Sequence, residues 1–315
     1  MRSGRSTALH TLLLYLLPLV VAWAGWGVGA AFLAVLAVAL AGVVLRLRAL
    51  SQPAPSRPLL HTISFSHYVE KVRWCLDRAG IDYEEAPSIG ILGVLLLGRT
   101  VPLLELPAAR TRVGNSSEIL RLLWGMHGCD PSGRAAFLEP TPEAVALEKY
   151  LDDALGRQVR RWTYQRLFED RRLTLQVWGA GEPAVPRWQR ALLPVLRPLL
   201  QAAVRRMLRV DAASAVRALD KTRAVFDELD ARLTDGRRYL LGDTLSFVDI
   251  TFASLGALAV LPGHYGGGHL ATRFPDVDSL PEPWRSEVAG FRQRPAGRLI
   301  LRMYEEDRRA GGIHA

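Results

Sequence analysis

The sequence predicts an α+β domain followed by an all-helical domain, with apolar membrane helices before both. Residues 6–45 contain no Asp, Glu, Lys or Arg, which is the composition of membrane-embedded helices. Residues 58–127 alternate short apolar runs with amphipathic helical runs, as in an α+β domain. From residue 140 to residue 310 apolar side chains recur with the 3.6-residue period of helices. We therefore expect an N-terminal anchor, a mixed domain and a helical domain, in that order.

The charge-free segment is too long for one membrane span. A helix of forty residues would measure about 60 Å, twice the ~30 Å hydrocarbon thickness of a bilayer. Its middle, "AGWGVGA" at 24–30, is rich in glycine, which favours turns over helices. We therefore predict a helical hairpin with spans at about 8–24 and 28–46, so that residues 1–48 form a membrane anchor and residues 49–57 a linker.

The arginines around the hairpin predict its orientation. Arg2 and Arg5 precede it, and Arg46 and Arg48 follow it, so the positive-inside rule keeps both ends in the cytoplasm. A signal peptide that ends near "AWA" at 22–24 is the alternative, but the remaining apolar residues would still anchor the chain. The arginine-rich coding is typical of a GC-rich bacterium. We expect the inner membrane, with the folded domains on its cytoplasmic side.

Composition excludes several classes of function. The net charge is +9, which favours an anionic partner, but no basic run is interleaved with aromatic residues. We therefore expect an anionic lipid surface as the partner and no nucleic acid. The two cysteines, Cys75 and Cys129, lie far apart and form no CxxC pair. This spacing indicates neither a disulfide framework nor a metal site, and we expect no metal cofactor.

The mixed domain is predicted to have the order βαβ-ββα. Pro102 interrupts one of its strands, which is typical of an edge, a bulge or a cis peptide bond. This order is that of a thioredoxin-like domain. The elements are predicted as strand 58–65, helix 68–80, strand 81–86, strand 100–106 and a strand, turn and helix over 112–125.

Three motifs of this domain carry a resemblance to a known family. They read "FSHYVEKVR", "TVPLLEL" and "NSSEIL" in chain order. Together they resemble the N-terminal domain of the glutathione S-transferase superfamily across the whole of residues 58–127. The resemblance implies a catalytic residue at the end of the first strand, a cis-proline in "VPxL" and a polar pair that holds glutathione at a helix start.

Ser66 occupies the catalytic position that the resemblance implies. A group at a helix N-terminus meets unpaired N–H donors and the positive end of the helix dipole. There a bound thiol is favoured as thiolate, and a serine hydroxyl can donate a hydrogen bond to the sulfur. The alternative is that Ser66 and Ser64 only cap the helix. His67 and Tyr68 are the next catalytic candidates, although we expect His67 to face solvent from a loop.

The resemblance also implies the residues that bind the thiol cofactor. The main chain of Val101, before Pro102, is expected to pair with the cysteinyl backbone of glutathione. Asn115 and Ser116 are expected to hold its γ-glutamyl carboxylate at a helix N-terminus, unless they serve only as caps. The apolar run at 86–99 departs from the polar helix that the family has there, so cofactor contacts from it are in doubt. This run is an alternative membrane-facing segment.

The helical domain carries a fourth motif of the same family. In "YLLGDTLSFVDITF", Ser246 and Asp249 form an S-x-x-D capping box, which opens a buried helix and has a structural role. Aromatic residues at 162, 164 and 168 are expected either to line an electrophile pocket or to belong to the core. Two histidines in the loop "GHYGGGH" at 263–269 are too few ligands to indicate a metal site.

Residues 186–210 form a basic amphipathic stretch between the predicted helices. Leucines and arginines alternate with helical spacing there, and Pro194 and Pro198 are expected to kink or split the helix. The stretch is either an interfacial helix that lies on anionic lipid or a core-packed helix with a solvated arginine face. The sequence leaves both interpretations open.

Taken together, the resemblance implies a membrane-anchored glutathione S-transferase-like enzyme. Such an enzyme conjugates glutathione, or another low-molecular-weight thiol, to an apolar electrophile, and the family often forms homodimers. Thiol–disulfide exchange is disfavoured because Ser66 and Val69 occupy the two positions of a CxxC motif. The alternative is a non-catalytic scaffold or binding protein that is tethered to the membrane and retains the same fold.

Overall fold

The computed structural model describes residues 55–89, 101–107 and 111–310, together with Leu33, Leu36 and Leu40. These three leucines are helical and their side chains are exposed; the rest of the predicted hairpin lies outside the described residues. In the part of the chain that is described, no helix is both long enough and apolar enough to cross a membrane. The segment from 90 to 99 also lies outside the described residues.

The α+β domain has the predicted order of elements. They are β1 (Leu59–Ile63), α1 (His67–Ala79), β2 (Glu84–Ser88), β3 (Leu103–Glu105), β4 (Arg112–Gly114) and α2 (Ser116–His127). The strands pack in the order β2-β1-β3-β4, with β1 parallel to β2 and antiparallel to β3, and β3 antiparallel to β4. The thioredoxin-like fold predicted for this domain is thus confirmed.

The strand directions bring three segments to one edge of the sheet. Strands β1 and β4 run in the same direction and β3 runs against both, as the registers of Leu103 with His61 and with Gly114 require. The carboxyl ends of β1 and β4 therefore share an edge with the amino end of β3. The first turns of α1 and α2 follow at this edge, beside the Val101–Pro102 peptide.

The second domain is helical, as predicted. Its helices are α3 (Pro142–Tyr150), a π-helical turn (Leu151–Gly156), α4 (Arg157–Glu169), α5 (Arg171–Val177), α6 (Arg187–Leu208), α7 (Ala212–Arg232), α8 (Phe247–Val260), α9 (Trp284–Gln293) and α10 (Pro295–Ala310). The central element is α8. All fourteen residues of α8 are buried, and α8 packs against α1, α9 and α10.

The predicted capping pair lies at the start of α8. Asp249 accepts hydrogen bonds from the backbone N–H of Ser246 at 2.8 Å and from its hydroxyl at 2.7 Å. The other oxygen of Asp249 accepts from the backbone N–H of Leu240 at 2.7 Å. Burial raises the pKa of this carboxyl above its ordinary value even though these bonds lower it. Asp249 thereby ties the preceding loop to the most buried helix of the domain.

Of the two outcomes predicted for the prolines at 194 and 198, a kink or a split, the split is wrong, because α6 is one helix from Arg187 to Leu208. Pro194 and Pro198 are both exposed, so the carbonyl groups that lose their helical donors can be hydrated. Leucines at 193 and 200 bury one side of α6. The opposite side is apolar and exposed rather than a solvated arginine face, with Trp188, Val195 and Leu199 being 54%, 75% and 49% exposed.

Candidate functional site

Ser66 is the N-cap of α1 and lines a cavity. Its Oγ accepts a hydrogen bond from the backbone N–H of Val69 at 3.4 Å, so the hydroxyl hydrogen remains available for donation. Ser64, the other predicted cap, is buried, and its hydroxyl has no hydrogen-bond partner among the described residues. The capping and donor roles that sequence reasoning treated as alternatives for Ser66 are therefore compatible, because one uses a lone pair and the other the proton.

His67 is buried rather than solvent-facing, so that expectation is wrong. Its Nε2 lies 3.1 Å from the carbonyl oxygen of Gly156, and a carbonyl only accepts, so Nε2 carries the proton. Burial, followed by the positive charge of Arg160, lowers the pKa of His67 to about 3. The imidazole is therefore neutral at physiological pH and fastens α1 to the helical domain. His67 therefore has a structural role here rather than that of a general acid or base.

Tyr68 lies between the two domains and faces the same cavity. Its hydroxyl donates to the backbone carbonyl of Asp152 at 3.4 Å, and burial raises the pKa of the phenol to about 12. The π-helical turn approaches so closely that a Cβ on Gly156 would lie 2.5 Å from this hydroxyl. A larger residue at position 156 would therefore have to displace the Tyr68 side chain, and Tyr68 stays neutral at physiological pH.

The predicted cofactor-binding residues lie at the shared edge of the sheet. The Val101–Pro102 peptide is cis, and Val101 contributes to the cavity wall. Asn115 caps α2 by accepting from the backbone N–H of Ser117 at 3.0 Å, and Ser116, the first helical residue, is buried. Two helix N-termini thus begin beside one cis peptide, which is an arrangement suited to anionic groups. The assignment of these residues to a cofactor stays a prediction.

A buried lysine, which sequence reasoning missed, fixes the start of α2. Lys71 donates to the hydroxyl of Ser117 at 3.2 Å and pairs with Glu148 at 2.7 Å and Asp152 at 3.5 Å. The Ser117 hydroxyl in turn donates to Asp152 at 2.9 Å. These bonds join α1, α2 and the helical domain next to Ser116. No motif signalled this cluster, because its members are distant in sequence.

The cavity has a volume of about 260 Å³ and lies between the sheet edge and the helical domain. Its walls are mainly apolar, with Tyr164, Leu167 and Trp178 on the helical side. Of the three aromatic residues predicted for this pocket, only Tyr164 lines it. Trp162 is buried elsewhere and donates from its indole N–H to Glu287 at 2.9 Å, whereas Phe168 belongs to a small second core.

Two polar residues of α4 also line the cavity, and sequence reasoning missed both. Arg160 is half-buried, and among the described lining residues it is the one side chain charged at neutral pH. Thr163 is buried, with a hydroxyl that has no partner in the described part of the chain. The available signal was helical spacing, since Arg160 lies one turn before Tyr164 and therefore on the same face.

Other reactive side chains have structural partners. Cys75 is fully buried, and burial raises the pKa of its thiol far above the ordinary value, so it is not a nucleophile. His264 pairs with Glu305 at 3.0 Å, and His269 with Asp77 at 3.0 Å. Over the residues that are described, no three His, Cys, Asp or Glu side chains form a group able to hold a metal ion.

Comparison with known proteins relates the chain to one family. Residues 183–292, less than half of the chain, match the family model described as the glutathione S-transferase C-terminal domain. No curated protein sequence matches the chain. A glutathione S-transferase of Ceriporiopsis subvermispora, solved in complex with glutathione, has 17% identity and a TM-score of 0.51, and the match covers 80% of this chain and 97% of that chain.

A second solved structure is similar at a lower score. It is a glutathione S-transferase of Methylobacterium radiotolerans in complex with glutathione sulfonate, with 20% identity and a TM-score of 0.49. That match covers 82% of this chain and 95% of the other chain. At 17% identity the match to the Ceriporiopsis subvermispora structure concerns the fold alone.

Proposed function

We propose that this chain, which has the glutathione S-transferase fold, conjugates a low-molecular-weight thiol to an apolar electrophile. One observation carries the proposal. The N-termini of α1 and α2 and the Val101–Pro102 peptide meet at one sheet edge, and the edge at Ser66 opens onto an apolar cavity. Helix N-termini stabilise both an anionic sulfur and a carboxylate. The apolar opposite wall of the cavity stabilises a bound apolar electrophile.

Ser66 is proposed to stabilise the thiolate. Its hydroxyl hydrogen is available because the cap uses only a lone pair of the oxygen. A hydrogen bond from a hydroxyl to an anionic sulfur is charge-assisted and favours the ionised thiol. The contacts of His67 and Tyr68 support this assignment, since each uses its proton on a backbone carbonyl, whereas the hydroxyl hydrogen of Ser66 remains available.

Glutathione is proposed as the thiol. It carries a carboxylate at the γ-glutamyl end and a thiol in the middle, so it can place one at the start of α2 and the other at the start of α1. The Ceriporiopsis subvermispora structure with the same fold was solved in complex with glutathione. Another thiol with a terminal carboxylate would satisfy the same two helix N-termini.

We also propose that the protein is anchored to a membrane and that its domains face the cytoplasm. The support is the charge-free segment 6–45 with flanking arginines, together with the exposure of Leu33, Leu36 and Leu40, which are 65%, 53% and 63% exposed. An apolar electrophile partitions into the bilayer, so an anchored enzyme would meet it at high local concentration. Carbonate extraction of membranes from expressing cells tests the anchor, which predicts that the full chain stays in the pellet.

The test of the proposed reaction is calorimetric titration of the full chain with reduced glutathione, alongside turnover of a model electrophile. We expect binding at millimolar concentration or tighter. Ser66→Ala is expected to lower turnover about 10- to 100-fold, the range for losing one hydrogen bond to a charged group, and to raise the pKa of the bound thiol. Ser132→Ala is the matched control, because Ser132 lies in an exposed turn.

Ser66→Asp separates thiolate stabilisation from capping. Aspartate is a good N-cap, but its carboxylate cannot donate a hydrogen bond to a thiolate. We expect Ser66→Asp to keep the stability of wild type and to lose turnover. Wild-type turnover in Ser66→Asp would show that Ser66 acts only as a cap. Absence of thiol binding in wild type would favour the non-catalytic scaffold.

A further inference from the structure

The cavity contains an arginine whose charge has no carboxylate partner in the described structure. No Asp or Glu of the described residues lies within 4.0 Å of the Arg160 guanidinium. Two other arginines of α4 pair with carboxylates, and Arg161 donates to the carbonyl oxygen of Leu208 at 3.0 Å and to Gln158 at 2.9 Å. Arg157 pairs with Asp153 at 3.0 Å, and Arg166 with Glu287 at 2.6 Å. A half-buried, unpaired guanidinium in an apolar cavity is costly and is well suited to bind an anion.

A second polar group lies beside this charge. Thr163 follows Arg160 by three residues, so both project from the same face of α4. Thr163 is 9% exposed and its hydroxyl is buried with no hydrogen-bond partner among the described residues. Buried hydroxyls are almost always hydrogen-bonded. A ligand oxygen between the two side chains would satisfy Thr163 and neutralise Arg160 at once.

The opposite wall offers no competing anion. His67 is neutral because burial and the charge of Arg160 lower its pKa to about 3. The ring of Tyr68 lies under the guanidinium, with 5.8 Å between the ring centroid and Cζ of Arg160. The hydroxyl of Tyr68 stays protonated because burial raises the pKa of the phenol to about 12. The charge of Arg160 therefore meets no anionic group on the α1 side of the cavity.

We propose that the electrophilic substrate is an apolar molecule bearing a carboxylate or sulfonate, and that Arg160 and Thr163 bind this anionic group. The inference rests on the proposed function, since it names the substrate class of the same cavity. The apolar body of the substrate packs against Tyr164, Leu167 and Trp178. Its reactive carbon faces the α1 side, where Ser66 begins the helix.

The first test measures binding without thiol and does not depend on catalysis. The probes are 4-chloro-3,5-dinitrobenzoate and 4-chloro-3,5-dinitrobenzamide, which share ring and leaving group and differ in charge. Nitroaromatic rings quench tryptophan fluorescence, and Trp178 lines the cavity. We expect the full-length protein to bind the benzoate about 10- to 100-fold more tightly than the amide, the range of one charge-assisted contact.

Variants assign this preference to the two residues. Arg160→Met is expected to reduce the benzoate-to-benzamide affinity ratio about tenfold or more, Arg160→Lys to retain part of it, and Thr163→Val to reduce it severalfold. Arg157→Met is the matched control on the same helix, because Arg157 is exposed and pairs with Asp153, and its ratio should equal that of wild type. An equal ratio in wild type and Arg160→Met overturns the inference.

The second test measures kcat/KM for both probes with glutathione. The thiolate sulfur attacks the ring carbon that bears chlorine, a C–S bond forms, the C–Cl bond breaks, chloride leaves with the bonding electrons, and the thiol proton goes to solvent. Division by the uncatalysed rates removes the difference in ring reactivity. We expect the kcat/KM ratio to follow the affinity ratio across the variants.

The outcomes separate this inference from the proposed function. Charge-dependent binding without turnover would refute the conjugation reaction and support the anion site. Turnover of both probes with a ratio that Arg160→Met leaves unchanged would support the reaction and overturn the inference. A raised pKa of bound glutathione in Arg160→Met, read from thiolate absorbance, with an unchanged ratio would assign Arg160 to the thiolate and likewise overturn it.

Discussion

Two buried arginines differ from the half-buried Arg160 in whether carboxylates of the protein neutralise their charge. Arg73 and Arg308 have fully buried side chains, and each bonds to two carboxylates. Arg73 pairs with Glu70 at 3.0 Å and Glu85 at 2.6 Å, and Arg308 pairs with Glu70 at 2.9 Å and Asp77 at 2.7 Å. These bonds join α1 and β2 to α10, so this cluster fastens the α+β domain to the end of the helical domain.

Arg160 has the opposite arrangement. It is half-buried at a cavity, and among the described residues no carboxylate neutralises it. Charges that hold domains together need their partners inside the protein, because a buried uncompensated charge is strongly destabilising. A charge that serves a ligand needs its partner outside. The difference separates a structural arginine from a binding arginine without reference to any relative, and it can be tested through stability.

The largest expected effect is the loss of one member of the buried cluster. Arg308→Met leaves Glu70 with Arg73 alone and Asp77 with His269 alone, so buried carboxylate charge is no longer fully compensated. The free energy of unfolding is expected to fall by about 3–5 kcal/mol. Urea denaturation measures this quantity. Arg298→Met on the same helix is the matched control, since Arg298 is exposed, and a change within about 0.5 kcal/mol is expected there. Similar losses in both variants would contradict the structural role.

The same cluster predicts a loss of stability in acid. Burial raises the pKa of Asp77, but its bonds with His269 and the charge of Arg308 outweigh this, so the pKa lies below its ordinary value of 3.8. Burial likewise raises the pKa of Glu85 and the Arg73 charge outweighs it, which places that pKa below 4.5. A depressed folded-state pKa gives stability that is fully present above the unfolded pKa and lost as pH falls through the folded one.

The pH range of this loss of stability, and a control for it, follow from the lowered pKa values of Asp77 and Glu85. The free energy of unfolding should therefore decline as pH falls below about 4.5, where carboxylates of the unfolded chain begin to bind protons. In Arg308→Met the decline should be shallower, because Asp77 loses one of the charges that depress its pKa. An equally steep decline in both proteins would show that other carboxylates control the acid transition.

Local patterns predicted much of the fold. The order of strands and helices, the position of Pro102 before β3 and the Ser246–Asp249 box all depend on residues within a few positions of each other. Such short-range signals are legible in one sequence because turn, cap and periodicity rules act locally. They suffice to bring Ser66 and Ser116 to one edge of the sheet.

Long-range partners account for what the sequence did not reveal. His67 is buried because the backbone at Gly156, 89 residues away, accepts its hydrogen bond, and Glu70 meets Arg308 across 238 residues. Arg160 resembles every other arginine of α4 until the cavity shows that it alone faces an apolar space. The continuity of α6 through Pro194 was equally hidden, because it depends on which side of the helix meets solvent.

The smallest expected effect on stability is that of replacing Arg160. Arg160→Met removes a charge that no described carboxylate neutralises and keeps an apolar side chain of similar length. The free energy of unfolding is therefore expected to change by less than about 0.5 kcal/mol, or to rise slightly. Arg73→Met leaves Glu70 with Arg308 alone and removes the nearest cation from Glu85, so it should lose about 3–5 kcal/mol in the same urea experiment.

Ligand is then expected to separate wild type from Arg160→Met. At a benzoate concentration of 100 times its dissociation constant, wild type should gain about 2.7 kcal/mol of unfolding free energy, and Arg160→Met at the same concentration should gain much less. A large loss of stability in Arg160→Met without ligand would mean that the protein itself uses this charge. Arg160 would then belong with Arg73 and Arg308, and the distinction between structural and binding arginines would fail at this cavity.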